Sequence, residues 1–279
     1  MKITDYQRYH NQNLEELSQE DKDRLMRYFK LVGEVKKPLA SLVVPIYRTK
    51  ETLIAHLISL SRLSTIIPYE VLFIDNNADK DSLSILEKLG AKVIKEERQG
   101  ITYARQKGLE QAKGSIICTM DPDSIYGERY VDQMVLPFFE NKNVVLCHTI
   151  SRSYAKDFQL PLRVGFRNFL KHIYFRVRIV TGFFNRITSV RAHGLSFRSD
   201  VLKESGYPTD LRAVSGCDDG IIAMQLYAKG SFNYVPALVY TERPIGKPPG
   251  KPFPYCNESY FHDGTDAKEI PSINIKKAG

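Results

Sequence analysis

The stretch SIICTMDPDS (residues 115–124) joins an apolar run to a turn that carries two carboxylates. The apolar run, Ser115 to Met120, predicts a buried strand of a parallel sheet. Asp121 and Asp123 follow it directly, so both carboxylates are expected at the carboxyl edge of that sheet. Oxygen ligands on a tight turn suit a hard cation such as Mg²⁺ or Mn²⁺. An ordinary Asp-Pro turn with solvated acids is the alternative interpretation.

Upstream of this stretch, apolar runs alternate with helical patterns. Strands are predicted at ASLVVPI (40–46), EVLFID (70–75) and AKVIK (91–95). Helices are predicted where leucines recur at helical spacing after the first two strands, at 53–60 and 83–89, and at ITYARQKGLEQA (101–112). The alternation predicts an α/β fold with a mostly parallel, Rossmann-like central sheet flanked by helices. Asp75 ends the second strand, so it and the asparagines that follow, Asn76 and Asn77, are expected at the same edge as the two carboxylates.

The composition is that of a folded globular protein, with 279 residues of which 43% are hydrophobic and 26% are charged. These fractions argue against a disordered or fibrous chain. Residues 1–13 are polar and no later run is long enough to span a bilayer, which predicts a cytoplasmic protein. The four cysteines form no Cys-x-x-Cys pair and are expected to be reduced.

The net charge of +8 is concentrated in one part of the sequence. No acidic residue occurs between Asp157 and Asp200, a stretch that contains eight lysines and arginines. Apolar residues at helical spacing alternate with these cations and predict an amphipathic basic helix over 160–185. Such a helix could lie on an anionic membrane, or it could pack its apolar stripe on the sheet. Its aromatic residues share core spacing with aliphatic ones, which makes a nucleic-acid partner the weaker interpretation.

Several motifs in sequence order resemble family 2 glycosyltransferases of the GT-A fold. They are VVPIY (43–47), IDNNADKDS (74–82), QGITYARQKGLEQAKGSII (99–117), MDPDS (120–124) and HGLSFRSDVLKESGYPTDLRAVSGCDDGIIAMQL (193–226). Together they span most of residues 39–240, which is more specific than any single motif. The resemblance implies an enzyme that transfers a sugar, with inversion, from a nucleotide diphosphate sugar to a glycan or lipid-linked acceptor.

The resemblance also implies roles for the donor side of the site. Asp121 and Asp123 match the D-x-D motif, whose carboxylates hold a divalent metal, Mn²⁺ or Mg²⁺, and touch the ribose. Uridine diphosphate is the expected carrier on family grounds. The remaining residues implied to contact the donor are Pro45 and Tyr47 at the base and ribose, Asp75 and Asn77 beside them, and Arg105, for which a solvated helix position is the alternative.

The acceptor side depends on a second pair of acids. Asp219 matches the family's general base, and Asp218 stands where the family usually has Glu, so which of the two carboxylates is the base stays open. A base must be separate from the metal pair, because an acid engaged with a cation cannot also accept the acceptor's proton. Capping of the helix that follows is the alternative for both acids. His262 could supply a further metal ligand and His193 could lie in an acceptor loop, although loop and core histidines are common.

Helical spacing predicts an N-terminal extension followed by a linker, and the many prolines and glycines near the end of the sequence predict an irregular tail or lid. The resemblance covers the glycosyltransferase domain between them. Ser18 and Asp21 are placed like a capping box in the extension. These parts span residues 1–38, 39–240 (a nucleotide-binding half, 39–125, and an acceptor half, 126–240) and 241–279.

Three other functions compete with this interpretation. A sugar nucleotidyltransferase would be expected to carry a glycine-rich loop after the first strand, whereas this chain has VVPIYRTKET (43–52) there. A basic module that binds membrane or nucleic acid without activity, and an inactive relative of the same fold, are the other two. The expected location is the cytoplasm, with peripheral contact at the inner face of the membrane as the open alternative.

Overall fold

The computed structural model describes residues 2–155, 158–180, 194–209 and 218–242. For residues 175, 176, 178–180 and 218 it describes the backbone alone. His193, His262 and most of the predicted tail therefore lie outside the described residues.

The strands include the four that the sequence predicted, with small changes at their ends. The second strand begins one residue earlier than predicted and the third is shorter by two. The strands are β1 (Ala40–Ile46), β2 (Tyr69–Asp75), β3 (Val93–Lys95), β4 (Ile116–Thr119), β5 (Ser124–Tyr126), β6 (Val144–His148), β7 (Arg152–Tyr154), β8 (Leu195–Arg198), β9 (Ser231–Tyr234) and β10 (Val239–Glu242).

The helices follow the predicted alternation through the first half of the chain. They are α1 (Gln19–Gly33), α2 (Lys50–Ser61), α3 (Lys80–Lys88), α4 (Ile101–Gln111), α5 (Tyr130–Val135), α6 (Pro137–Glu140), α7 (Leu162–Val180), α8 (Ser199–Lys203) and α9 (Asp218–Tyr227), with 3-10 helices at Ile3–Tyr9 and Leu14–Glu16. Within the described ranges, no helix is long and apolar enough to cross a bilayer.

The central sheet has seven strands in the order β3-β2-β1-β4-β8-β6-β9. Strands β1, β2, β3 and β4 pair in parallel, while β8 runs antiparallel to both β4 and β6. The chain moves outward from β1 in one direction to β2 and β3, and returns to the other side of β1 at β4. The gap between the carboxyl ends of β1 and β4 is thus the switch point of the sheet, where ligands bind in folds of this type.

A second sheet of three strands, β5-β10-β7, continues from the turn after β4. Strand β10 pairs antiparallel with β5 and parallel with β7, which puts Glu242 opposite Tyr154. The sheet brings residues that are far apart in sequence next to the turn that follows β4.

The N-terminal residues belong to the main hydrophobic core. Ile3, Tyr6 and Tyr9 are fully buried and share one cluster with α1, α2 and β2. The Ser18 hydroxyl accepts the Asp21 amide at 3.2 Å, so the predicted cap is present and the helix begins after it. Among the cysteines, Cys118 and Cys147 are buried and free, as expected for reduced thiols.

Helix α4 approaches β1 at a glycine. A Cβ atom on Gly108 would lie 2.2 Å from Cγ1 of Val43, so a larger residue here requires the helix or strand to move. Arg105 lies three residues earlier on the same side of α4 and is buried. The close approach therefore positions Arg105 toward the end of the central strands.

The exposure of side chains on α7 contradicts one of the two interpretations of the basic segment. Its buried side carries Val164 and Asn168, while Leu162, Phe166 and Phe169 on the apolar stripe are exposed. The alternative in which this stripe packs on the sheet is therefore wrong for these residues. The side that faces the protein carries Val164 and Asn168 instead of the predicted stripe.

Candidate active site

A cavity of about 990 Å³ opens at the carboxyl edge of β1 and β4. This volume is at the upper end for pockets that bind small molecules and cofactors. Its wall contains five of the predicted donor residues, namely Pro45, Tyr47, Arg105, Asp121 and Asp123. The other wall residues are Asn11, Arg48, Thr49, Lys50, Glu51, Thr52, Asn76, Asp79, Lys80, Asp81, Gln99, Gly100, Ile101, Pro122 and Glu242.

Two side chains of helix α2 form hydrogen bonds to the D-x-D turn, residues 121–124. The Thr52 hydroxyl donates to the Pro122 carbonyl at 3.2 Å, and Nδ1 of His56 donates to the Ser124 carbonyl at 2.8 Å. His56 is fully buried, and this burial lowers its pKa from 6.5 to about 4. The ring is therefore neutral at pH 7, with its proton on the nitrogen that faces the turn.

Two tyrosines hold the same turn from the second sheet. The Tyr126 hydroxyl accepts the Asp121 amide at 2.9 Å, and the Tyr154 hydroxyl donates to the Asp123 carbonyl. Both rings are buried, and burial raises the pKa of both hydroxyls, so both stay protonated at neutral pH. Four side chains from three elements thus fix the backbone that presents the two carboxylates.

Arg105 is paired with the first carboxylate of the motif. Its Nη2 lies 2.9 Å from Oδ1 of Asp121, and only 4% of the Arg105 side chain is exposed. The alternative of a solvated helix residue is therefore wrong. The guanidinium places a positive charge on the floor of the cavity, where it compensates part of the negative charge of the turn.

The second carboxylate is in a strongly negative environment. Burial, followed by the charge of Asp121, raises the pKa of Asp123 from 3.8 to about 7, and the charge of Glu242 adds to the increase. The Ser124 hydroxyl donates to Asp123 at 3.3 Å and opposes the increase. Three carboxylates in this part of the wall repel one another, and a bound cation would relieve that repulsion.

Two polar residues of the turn after β2, Asp75 and Asn77, were predicted to contact the donor, but their side chains contact other parts of the protein. Asp75 is buried, lies 3.1 Å from Nζ of Lys95, and accepts the Ala78 amide at 2.9 Å. Asn77 has φ of 62° and donates to Gln99 at 2.9 Å. Neither residue belongs to the cavity wall. Their assignment to the donor stays a prediction.

Asn76, between these two residues, connects the β2 turn to the loop before α4. Its Nδ2 donates to the carbonyls of Glu96 and Arg98, at 3.2 and 2.6 Å, and its Oδ1 accepts the Gly100 amide at 2.8 Å. These three bonds fix the loop that forms one wall of the cavity. Asn76 is itself a wall residue.

Tyr47 and Arg48 form the opposite wall, just after β1. The Tyr47 side chain is 43% exposed, and the Arg48 guanidinium lies 5.1 Å from the centre of its ring. Arg48 has φ of 48°, a left-handed conformation that turns the chain sharply at this point. The pair offers an aromatic face and a cation, which suit a base and a phosphate.

The predicted base lies at the amino end of α9. The Asp219 carboxylate accepts the Gly220 amide at 2.8 Å, and the helix packs against β6. Asp219 is not among the residues that form the cavity wall. For its neighbour Asp218, only the backbone is described. The role of either acid as base therefore stays a prediction.

None of the four side chains that support the turn was predicted from the sequence. Thr52, His56, Tyr126 and Tyr154 carry no motif of their own, because their role depends on packing against residues up to 70 positions away. Glu242 was assigned to the tail, although it ends a strand. Its apolar neighbours Ala237 to Tyr240 were the available signal for that strand.

The described residues fit a divalent cation held by two carboxylates. Asp121 and Asp123 lie on one rigid turn, and burial, followed by the charge of Asp121, raises the pKa of Asp123. A bound cation would favour the charged form of both carboxylates. In the described ranges, no group of three or more His, Cys, Asp or Glu side chains is arranged to hold a metal alone. A cation here would therefore take further oxygens from water or from a phosphate, as Mg²⁺ commonly does.

Comparison with known proteins identifies the family. The model of the family described as Glycosyl transferase family 2 matches residues 41–205, more than half of the chain. The chain belongs to this family.

Two relatives of this family 2 glycosyltransferase come from Bacillus subtilis (strain 168). The uncharacterized glycosyltransferase YfnE is 32% identical over 114 residues, which is 39% of this chain and 29% of YfnE. The putative glycosyltransferase EpsH is 29% identical over 130 residues, 45% of this chain and 36% of EpsH. The chain thus aligns with about a third of the length of the curated relatives that it matches.

Solved structures of glycosyltransferases show the same GT-A fold. S. aureus TarS, residues 1–349, aligns with 73% of this chain and 60% of its own, with a TM-score of 0.54 and 17% identity. GalNAc-T7, solved with UDP, GalNAc and Mn²⁺, aligns with 76% of this chain and 45% of its own, with a TM-score of 0.55 and 16% identity. The predicted α/β class and GT-A fold are confirmed.

Proposed function

We propose that this family 2 glycosyltransferase moves a sugar from a uridine diphosphate sugar to a hydroxyl of a glycan or lipid-linked saccharide. The observation that carries the proposal is the D-x-D turn, which presents Asp121 and Asp123 to the cavity on a backbone fixed by four side chains. Such rigid support is typical of a site whose geometry matters for chemistry.

The choice of donor is supported by the shape and charge of the cavity. Tyr47 offers an aromatic face for the base, and Arg48, Lys80 and Arg105 supply positive charge to the cavity for a diphosphate. Structures of TarS have been solved with UDP and with UDP-GlcNAc, which supports a uridine nucleotide among proteins of this fold.

Asp121 and Asp123 would hold the divalent metal, Mn²⁺ or Mg²⁺. When bound, the metal supplies positive charge to the departing diphosphate. The chain's own residues orient the donor: Arg105 keeps Asp121 in place, and the turn keeps the two carboxylates at the end of β4.

The acceptor step needs a carboxylate that is ionised and separate from the turn. In our proposal, Asp219 accepts the proton of the acceptor hydroxyl as that oxygen attacks the anomeric carbon, and the bond to the diphosphate breaks. The configuration at this carbon is then inverted, because one displacement takes place. Asp218 is the next candidate for the base.

A ligand screen tests the proposal directly. Thermal unfolding of the chain is followed with UDP-, GDP- and ADP-sugars, each with Mn²⁺ or with a chelator, and the ligands that stabilise it are then assayed for release of the nucleotide diphosphate. We expect stabilisation by a uridine nucleotide that requires the metal. Equal stabilisation by all carriers, or stabilisation unaffected by the chelator, would contradict the proposed donor site.

A further inference from the structure

Helix α7 has an apolar stripe along one side, and this stripe faces solvent. Leu162, Phe166 and Phe169 are 92%, 63% and 60% exposed, and they lie on one side of the helix at spacings of three and four residues. Leu170 and Ile173 extend the same stripe and are 48% and 45% exposed. A surface helix normally turns such a stripe toward the core.

The orientation of α7 is fixed by hydrogen bonds on its other side. The Asn168 side chain accepts the Ser153 amide at 2.8 Å and donates to the Ser153 carbonyl at 2.7 Å, as a neighbouring strand would. Nζ of Lys171 donates to the Ser151 carbonyl at 2.9 Å. Rotation of the helix would break these bonds, so they keep the apolar stripe exposed to solvent. Contiguous exposed apolar patches mark interaction surfaces.

The charges beside the stripe are all positive. Arg163 and Arg167 lie one step around the helix from Leu162 and Phe166, and no acidic residue occurs from 158 to 199. A partner of this face must therefore tolerate or supply negative charge. Amphipathic helices with apolar residues on one side and cations on the other lie in the headgroup region of anionic bilayers.

We propose that α7 is a membrane-docking surface, with its apolar stripe inserted among the headgroups of an anionic lipid bilayer. A second copy of the chain would bring one row of cations against another, which is repulsive. A nucleic acid would stack on aromatic rings, whereas Leu162, Leu170 and Ile173 are aliphatic and suit acyl chains.

The two longest segments of the chain outside the described ranges are basic on balance and complement this face poorly. The stretch 181–193 contains Arg186 and Arg191 and no acid, and residues 243–279 contain six lysines and arginines against four acids. Charge complementarity thus favours the lipid surface over these segments as the occupant of the stripe.

One strand connects the docking surface to the active site. Ser153 of β7 is bonded to Asn168, and Tyr154, the next residue, holds the Asp123 carbonyl. Docking would therefore hold the D-x-D turn close to the membrane surface. The docking proposal stands without the proposed function, but together they favour a lipid-linked acceptor presented at the bilayer.

Vesicle binding tests the proposal on the full chain. Sedimentation is measured with vesicles of phosphatidylcholine, alone or mixed with phosphatidylglycerol, at low and high salt. We expect binding to the mixed vesicles that weakens with salt. The pair Phe166→Ser and Phe169→Ser should weaken it at least tenfold, and Arg163→Gln with Arg167→Gln about fivefold for each charge removed.

Matched controls separate docking from folding. Ile66→Ser removes an exposed apolar residue, 84% exposed and outside α7, and should leave binding unchanged. All of these substitutions are at exposed positions, so each variant should unfold at the temperature of the unmodified chain.

Four outcomes would overturn the proposal. Equal binding of the phenylalanine variant and the unmodified chain would place the lipid contact elsewhere. A dimer that dissociates in the phenylalanine variant, with no vesicle binding, would assign the stripe to a second copy. An oligonucleotide complex that needs Arg163 and Arg167, again without vesicle binding, would assign it to nucleic acid. A monomer that binds neither would mean that the chain itself covers the stripe.

Discussion

The D-x-D turn and the amino end of α9 carry the two kinds of carboxylate that the proposed reaction needs. Asp121 and Asp123 lie in the cavity wall, whereas Asp219 does not. Residues 121–124 are fixed by Thr52, His56, Tyr126 and Tyr154, which come from three elements. The Asp219 carboxylate accepts the amide of the next residue, Gly220, at 2.8 Å, at the start of α9.

This difference suggests a division of function. A carboxylate whose position is set by distant side chains can bind a ligand without further rearrangement. We therefore expect changes at the D-x-D turn to alter donor affinity and protein stability. Changes at α9 should instead alter the rate of transfer while the donor still binds.

The largest expected effect is at α9. Asp219→Asn should lower the rate of sugar transfer by about 10²- to 10⁴-fold, the range for loss of a general base, because the amide cannot accept the proton. The affinity for the donor nucleotide should not change. Steady-state transfer and calorimetric donor binding are measured on the same preparation.

Asp200→Asn is a matched control for this substitution. Asp200 also lies in the first turn of a helix and accepts the next amide, of Val201, at 2.8 Å. This variant should retain full activity. Full activity of Asp219→Asn would refute the assignment, and Asp218→Asn would then be examined.

The second effect is a loss of stability at acid pH that comes from His56. Its pKa is about 4 in the folded chain and 6.5 in the unfolded chain, so between these values the unfolded chain binds the proton more readily. The free energy of unfolding should therefore fall as the pH falls through this window, by about 3 kcal/mol in total. Urea unfolding at pH values from 7 to about 4 measures it.

His56→Asn isolates this contribution, since Asn can still donate to the Ser124 carbonyl but does not titrate. The variant should lose less stability than the unmodified chain on acidification. If His56→Asn and the unmodified chain responded identically to pH, the buried neutral ring would not be the cause.

The third effect has the opposite dependence on pH, because burial and the neighbouring carboxylates disfavour the charged form of Asp123. Its pKa of about 7, raised from 3.8, means that the carboxylate destabilises the metal-free fold as the pH rises from 4 to 7. Asp123→Asn should therefore stabilise the metal-free protein at pH 8, by about 1–2 kcal/mol after allowance for partial exposure, and should have little effect near pH 4.

Asp81→Asn provides the comparison for this effect, because Asp81 is a half-exposed wall residue paired with Lys50 at 2.6 Å. This variant should not gain stability at pH 8. Thermal unfolding in the presence of a chelator distinguishes the two variants. A loss of stability in Asp123→Asn would contradict the repulsion that we infer at the turn.

The smallest expected effect is at the support of the turn. Tyr154→Phe removes the hydroxyl that donates to the Asp123 carbonyl, and should weaken metal-dependent donor binding about fivefold, which is the value of one hydrogen bond. Tyr240→Phe, on the neighbouring strand β10, should leave the affinity unchanged. Donor affinity in Tyr154→Phe equal to that of the unmodified chain would mean that the turn is rigid without this bond.

The sequence predicts the nucleotide-binding half well because its signals are local. Each apolar run ends in a polar turn, so β1, β2 and β4 and the position of Asp121 and Asp123 follow from neighbouring residues. Arg105 was assigned to the donor from the resemblance, while its burial depends on the contact of Gly108 with β1.

The parts that sequence reasoning missed depend on tertiary packing. His56 and Tyr154 support the turn from positions 68 and 31 residues away from their partners, and no local pattern encodes such pairs. The outward orientation of α7 has the same origin. Periodicity located its apolar stripe, but the bonds of Asn168 to Ser153 decide which side faces the protein.

A calorimetric titration of UDP into the chain, with Mn²⁺ and with a chelator, tests most directly whether the D-x-D turn is the donor site. We expect binding that requires Mn²⁺, that is lost in Asp123→Asn, and that is retained in Asp81→Asn and Asp219→Asn. If Asp123→Asn bound UDP and Mn²⁺ as tightly as the unmodified chain, the D-x-D turn would not be the donor site and the central claim would be wrong.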